Sequence, residues 1–577
     1  MNIPPGRTVR WAPLGLGFLC LCLFGVYLAT ALRTPVAVGL WQDDAIYVAT
    51  ARSLAEGDGY RHIQMPSRPL QTRYPMLYPA MLSLAFLANP EYPDNLPLLL
   101  APGAVAAAGL LLLSLYYWRR VFAAPTALCW LAGGLAAISP VVLAFVRYTM
   151  SDLVYALLAI AALVCLDAAA PRARTRGREL AWLGLGASLV SLAVLTRSIG
   201  VTLAAAAVLT PLLRRRFADA GVVLGVLVIV AGPWWLWQAW AAAQNGSLQT
   251  ALLEAPELSY GLWAPQGIEP TLRVIQQNFF RAIYSLSFYH LALPIEPVQR
   301  ALSELSWRTG LVHGGCYLTL AVTGIGFWGS LRRGWRNLHT YALAYAALVI
   351  AWPFEPHRFL VPWTPFLLYF LLAGFGECAT ALARLAVRVR PAAVRTPPRL
   401  VRGGLLGLAL SLAVLFAIED ARILGSRADR FYLRELPGGL DLTEAGELYR
   451  WLRLRTAPDA VVASAWSAGL FLNTERRSYF PWPDSDPYLR YYGRDRELRD
   501  FYGSRSASET QAIYREMQAG LVETYDRAGI DYCVDQPHWL ETRVLSHIME
   551  GNPRLFELAF QSSKKSFRVY RLRGPGR

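Results

Sequence analysis

Lysine is almost absent: the 577 residues contain only the adjacent Lys564 and Lys565, so nearly all the positive charge is arginine. Charged residues are scarce altogether, at 17 % against 55 % hydrophobic. That balance excludes a soluble protein of this length. Of the seven cysteines, Cys20, Cys22, Cys129, Cys165, Cys316 and Cys378 lie in apolar blocks, and only Cys533 lies elsewhere. Neither a disulfide framework nor a metal-ligand spacing results. There is no P-loop and no GxGxxG between a strand and a helix, so nothing points to nucleotide binding. The first apolar block, Trp11 to Leu32, lacks an A-x-A cleavage pattern near its end and reads as a retained span.

What the chain has is long apolar blocks. A bilayer core needs about 20 apolar residues per helix, and blocks of that kind recur to about residue 420. The net charge of +16 follows the same division. Residues 421–577 carry only +3 of it, and the remaining +13 sits in short clusters between the blocks. This is the pattern of cytoplasmic anchoring and not of a nucleic-acid groove. Arg7 and Arg10 place the N-terminus inside. The later clusters (Arg119-Arg120, Arg172 to Arg178, Arg214 to Arg216, Arg332 to Arg336 and Arg384 to Arg402) require an even number of crossings between them.

Eleven spans meet that condition, near 12–32, 96–118, 122–143, 152–169, 180–196, 198–213, 219–242, 311–331, 338–353, 359–383 and 403–419. Met76 to Leu87 is too short and proline-framed to be another, and reads as an interfacial or re-entrant helix. The expected architecture is therefore a polytopic α-helical membrane domain over 1–420 and a C-terminal α/β domain over 421–577. Loops 33–95 and 244–309, like the tail, face the extracytoplasmic side. In the tail, Leu442 to Leu454 has helical spacing with Thr443 as a cap. Ala460 to Ser464 and Asp531 to Val534 read as buried strands, and Phe556 to Phe560 with Phe567 to Leu572 as a hairpin. The tail shows no nucleophile constellation, which suits folding support or acceptor recognition.

Several ionisable residues gather at the outer side. "WQDDAIY" places Asp43 and Asp44 at the start of a helical run, on a long loop that returns through Tyr74-Pro75 and Tyr78-Pro79. A solvated or capping pair is the plain alternative. Asp152 opens a span; a carboxylate at bilayer depth costs about 2.5–3.5 kcal/mol, and helix capping by Ser151 or Asp152 competes with a functional role. Arg73, Arg147, Arg197 and Arg358 lie near the same face against the charge bias, which suits an anionic ligand because guanidinium grips phosphate as a fork. Snorkelling is the alternative for Arg358, and a bland setting for the lone His357.

These residues resemble the GT-C glycosyltransferases, integral membrane enzymes that use polyprenyl-phosphate sugars. The branch most similar contains bacterial aminoarabinose transferases and protein O-mannosyltransferases. Asp43-Asp44 with Tyr47 matches the first-loop motif, Arg73-Tyr74-Pro75 through Tyr78-Pro79 the aromatic–proline return, and Asp152 the later acidic residue. "LTRSIGVTLA" and "HRFLVPWTPFLLYF" match later segments at Arg197 and Arg358. The aminoarabinose enzymes carry Glu-Lys-Pro where this chain has Met76-Leu77-Tyr78-Pro79, so phosphate contact moves to arginine, and Asp44 stands where glutamate is commoner.

The resemblance implies transfer of a sugar from a polyprenyl-phosphate donor to a lipid, glycan or protein acceptor, at the outer face of a bacterial cytoplasmic (inner) membrane. Asp43 would be the base of an inverting displacement, with Asp44 and Asp152 beside it in the catalytic set. Arg358, Arg197, Arg73 and Arg147 would hold the donor phosphate, and Tyr47, Tyr74 and His357 would contact substrate. No cofactor is implied, although paired carboxylates can hold a divalent ion. The alternative is a lipid or polysaccharide transporter without transferase activity, whose signature of broken helices in matching repeats is not found. A non-catalytic scaffold whose tail binds a partner is the third reading.

Overall fold

A computed structural model describes residues 8–33, 38–39, 42–245, 267–287, 306–352, 354, 356–389, 397–425, 442–481, 520–535 and 548–573. Each of the eleven segments expected to span is helical. Helices run over Thr8–Arg33, Leu96–Arg120, Arg176–Thr196, Val201–Leu213, Phe217–Asn245, Ser306–Arg332, Asn337–Ala351 and Pro397–Gly425. The third segment breaks at Ser139-Pro140 into Thr126–Ala137 and Pro140–Val146, bent by 49°, because proline cannot donate to the preceding turn. The fourth is Asp152–Leu163 continued by a π-helical turn, Val164–Ala169, and the tenth is a 3-10 turn, Arg358–Trp363, leading into Thr364–Val389.

Among the described residues, six helices are long and apolar enough to cross a membrane, and a seventh is added if the bent pair counts as one span. The chain is thus a multi-pass helical protein with a small C-terminal sheet. Leu77–Ala88 is a helix of 12 residues, about 18 Å long at 1.5 Å per residue. It buries Tyr78, Leu82 and Phe86 and exposes Leu84 and Leu87. The loop 244–309 contains an amphipathic helix, Ile268–Ser285; most of the rest of that loop, together with Leu40 and Trp41, lies outside the described residues.

The chain divides into two compact units. One comprises Met1–Pro35, Leu100–Pro233 and Ile275–Gly425; the other comprises Val36–Leu99, Trp234–Val274 and Ser426–Arg577. The first loop thus shares a unit with the tail.

Within the first unit, the buried Asp167 caps a helix that lies far from it in sequence. Its carboxylate accepts the Asn337 and Leu338 N–H groups at 3.0 and 3.2 Å, and also the Tyr117 hydroxyl at 2.8 Å. Helix ends carry unpaired N–H groups, so this buried acid has a structural account.

The tail sheet has the order β2-β1-β3-β5-β4, with β1 Val461–Ala463, β2 Arg477–Tyr479, β3 Tyr532–Asp535, β4 Phe556–Gln561 and β5 Arg568–Leu572. β1 pairs in parallel with β2 and β3, and β5 runs antiparallel between β3 and β4. The expected helix is present as Leu442–Arg455, whereas β2 and the helix Ser467–Thr474 are additions to the expectation.

The hairpin turn that carries both lysines is clasped by the first of these helices. Glu444 accepts the Lys564 and Ser566 N–H groups, and Glu447 accepts the Ser563 N–H at 2.9 Å and hydroxyl at 2.8 Å. Burial alone would raise the Glu444 carboxyl, but these bonds outweigh it and hold it below its ordinary value. Its stabilisation is therefore complete above the ordinary glutamate range near 4.3 and is lost as pH falls through the lower folded value. Glu444→Ala is expected to cost about 1–3 kcal/mol and to abolish that acid dependence. Unfolding midpoints measured against pH, with hydrogen exchange at 562–567, check both.

Candidate active site

The first-loop carboxylates open a helix, Asp43–Ala55, which begins after Gln42 in the left-handed region (φ 62°). A non-glycine residue there is strained and persists only where its surroundings hold it. A helix N-terminus suits negative charge, yet the two acids are treated differently. Asp44 is 1 % exposed; it accepts the Gly39 N–H at 2.9 Å on Oδ2 and the Ala45 N–H at 2.9 Å on Oδ1. Asp43 is half-buried and receives the Tyr74 hydroxyl. One carboxylate braces the backbone, and the other faces a side-chain donor.

Tyr47 and Tyr74, both predicted substrate contacts, are buried neighbours. Their ring centroids are 5.0 Å apart, and Tyr78 lies 5.1 Å from Tyr47, all edge to face. The Arg73 guanidinium lies 5.1 Å over the Tyr74 ring.

Gln71 shapes this return: its side-chain oxygen takes the Arg73 N–H at 2.8 Å and the Tyr74 N–H at 3.3 Å. The Tyr60 hydroxyl reaches the Tyr74 carbonyl at 2.9 Å. Trp237 and Gln238 donate to the Gln71 and Thr72 carbonyls at 3.1 and 2.8 Å. Sequence reading passed over Gln71, Trp237 and Gln238, because a glutamine or an aromatic in a loop or helix has no distinguishing local pattern.

Under this return lies a buried polar layer. His62 faces Gln64 at 2.9 Å. Burial, aided by the charge of Arg73 and only partly opposed by Gln71, pushes the imidazole down to about 3. The folded protein therefore keeps His62 neutral where an unfolded chain would protonate it. Its contribution is intact above the ordinary value near 6.5 and falls by about 1.4 kcal/mol per pH unit below that, until the folded value is reached. His62→Gln is expected to flatten the pH dependence of unfolding between about 6 and 4; an unchanged slope would assign that dependence elsewhere.

The other candidates lie in the first compact unit. Asp152 is the first residue of its helix and is completely buried. Ser151 precedes it without a side-chain capping bond. The Asp152 carboxylate instead forms an ion pair with Arg197 and lies 3.5 Å from Arg358 Nε. Arg197 also reaches the Ser151 hydroxyl at 3.5 Å and lies 5.7 Å over the Phe359 ring. The Tyr345 hydroxyl holds the Phe359 carbonyl at 2.6 Å, fixing the turn that carries Arg358.

Side-chain exposures of 1 % for Asp152, 9 % for Arg197 and 13 % for Arg358 make this one carboxylate shared by two nearly buried guanidiniums. Arg147 is buried in the turn before Asp152, and His357 directly precedes the Arg358 turn without capping it. Among the described residues, no group of three or more His, Cys, Asp or Glu side chains is placed to hold a metal ion.

No protein-family model and no curated protein matches this sequence. Solved structures do match its fold. The crystal structure of ArnT from Cupriavidus metallidurans in the apo state superposes with a TM-score of 0.55 at 13 % identity, over 97 % of this chain and 98 % of that one. The same protein bound to undecaprenyl phosphate gives 0.53 at 12 % identity, over 96 % and 98 %. An oligosaccharyltransferase of Archaeoglobus fulgidus, in complex with zinc and sulfate, gives 0.50 at 14 % identity, over 95 % and 72 %. The chain thus shares the fold of these proteins along nearly its whole length. At these identities the likeness establishes the fold alone.

Proposed function

We propose that the protein is a membrane glycosyltransferase that moves a sugar from a polyprenyl-phosphate donor to an acceptor hydroxyl on the outer face of a bacterial cytoplasmic membrane. The observation that carries this reading is the buried cluster of Asp152, Arg197 and Arg358, in which one carboxylate gathers two guanidiniums whose forks suit phosphate oxygens. A sugar phosphate supplies such oxygens. Support for its lipid attachment comes from the fold shared with ArnT, which binds undecaprenyl phosphate.

In this reading Asp43 removes the proton from the acceptor hydroxyl as its oxygen attacks the anomeric carbon from the side opposite the phosphate. The anomeric C–O bond to phosphate breaks, its electron pair leaves on the phosphate oxygen, and the sugar is inverted. Arg197 and Arg358 neutralise the charge that develops on that oxygen. Asp152 then acts on the guanidiniums, holding them together before the donor arrives. Arg73 and Arg147 are further phosphate contacts in the proposal, Tyr47, Tyr74 and His357 are sugar contacts, and Asp44 is a brace.

The test incubates purified protein with a panel of labelled undecaprenyl-phosphate pentoses, aminopentoses and hexoses, together with a membrane lipid extract as acceptor. Release of undecaprenyl phosphate with appearance of a glycosylated product is expected for at least one donor. Movement of a donor across vesicle membranes with no cleavage of any of them would instead favour transport.

A further inference from the structure

A helix of the tail reaches the segment that leads into the first-loop carboxylates. Ser467–Thr474 packs on the helix Asp43–Ala55 and meets the backbone at Gly39, just before it. A Cβ added to Gly469 would lie 3.2 Å from the Gly39 Cα, and one added to Gly39 equally close to the Gly469 Cα. Gly39 also has a φ of 113°, which side chains rarely adopt. The same peptide donates the N–H that Asp44 accepts. The tail backbone therefore abuts the group that fixes Asp44.

Tyr449, on the preceding tail helix, lies in the field of the same carboxylate. Its phenol is raised by burial and then by Asp44; that of Tyr92 is raised by burial, then by Tyr449 and Asp44. Around this contact, Arg52 bonds Glu475 at 2.7 Å and lies 5.7 Å over the Phe471 ring, and the Ser478 N–H reaches the Gln64 carbonyl at 2.8 Å. Exposed ion pairs add little; the glycine contact leaves the least freedom for adjustment.

We propose that the C-terminal domain is a positioning element of the transfer reaction: Gly469 packs on the Gly39 peptide whose N–H holds Asp44, and Asp44 sets the first helical turn that presents Asp43. This rests on Asp43 as the base, and it gives the tail a role in turnover where the sequence suggested folding support or acceptor recognition. Displacement of a reacting group by about 1 Å costs about 10²-fold in rate, so a contact without slack matters even though it touches no substrate.

The test uses the full-length protein in detergent micelles, with Gly469→Ala and Gly469→Val, and with the exposed Leu454→Ser as control. With the undecaprenyl-phosphate sugar that the wild type cleaves, kcat is expected to fall progressively from Ala to Val, reaching about 10²-fold. KM for donor and acceptor should stay unchanged, and Leu454→Ser should match the wild type. Hydrogen exchange should quicken at residues 43–47 while β3 keeps its protection.

If Gly469→Val also loses protection in β3, Gly469→Ala decides. Unchanged kcat and unchanged exchange at 43–47 would overturn the proposal, as would a rise in acceptor KM at constant kcat. Asp43→Asn in the same assay separates the two ideas. Full activity of that variant removes the base assignment, whereas an inactive Asp43→Asn beside fully active Gly469 variants removes the positioning role alone.

Discussion

Asp43→Asn is expected to lower transfer by about 10²–10⁴-fold, the range that a positioned general base contributes, without reducing the amount of protein in the membrane. Asparagine preserves the shape and can still accept the Tyr74 hydroxyl, but it cannot take the acceptor proton. Asp44→Asn should behave differently. That side chain spends both oxygens on backbone N–H groups, so its loss should lower the unfolding midpoint as well as the rate. The decisive comparison is turnover of a labelled undecaprenyl-phosphate sugar alongside thermal unfolding of both variants. A near-normal rate for Asp43→Asn would end the assignment.

The second large effect concerns Asp152. Asp152→Asn removes the carboxylate that two nearly buried guanidiniums share, and breaking a buried pair on one side costs about 3–5 kcal/mol. A marked drop in the unfolding midpoint is expected, partly restored by undecaprenyl phosphate, which brings a negative charge to the same arginines. Replacing the whole group with apolar side chains, as Asp152→Leu with Arg197→Met and Arg358→Met, should recover the midpoint because both sides of the pair are then removed together. It should also abolish both turnover and stabilisation by undecaprenyl phosphate. Retained turnover would show that the arginines serve the fold and not the donor. Arg358→Lys should not rescue a loss of donor binding, because an ammonium lacks the planar fork.

Both predictions depend on features that were legible to different degrees. The Asp43-Asp44 pair, Asp152 and the arginines stood out because charge is rare in apolar sequence and each one there needs a reason. Their division of labour was not visible. Asp43 and Asp44 are adjacent and chemically identical, and only the helix geometry aims one at Gly39 and the other at Tyr74. For Asp152 the sequence leaves helix capping and a functional role open, and only the structure shows its carboxylate paired with Arg197 and Arg358. In the tail, the hairpin was readable from alternation, but β2 is only three residues long, too short for any period to register.

The sequence by itself determined that this is a multi-pass helical protein with a C-terminal α/β tail, and which charged residues needed explanation. Those properties follow from local sums: the transfer free energy of some twenty consecutive side chains, and the asymmetry of arginine between them. Tertiary structure alone decided that Gly469 of the tail meets Gly39 of the first loop, and that one buried acid holds two arginines. Such contacts join residues far apart in the chain, and a glycine that must admit another backbone looks the same in sequence as one that merely turns it.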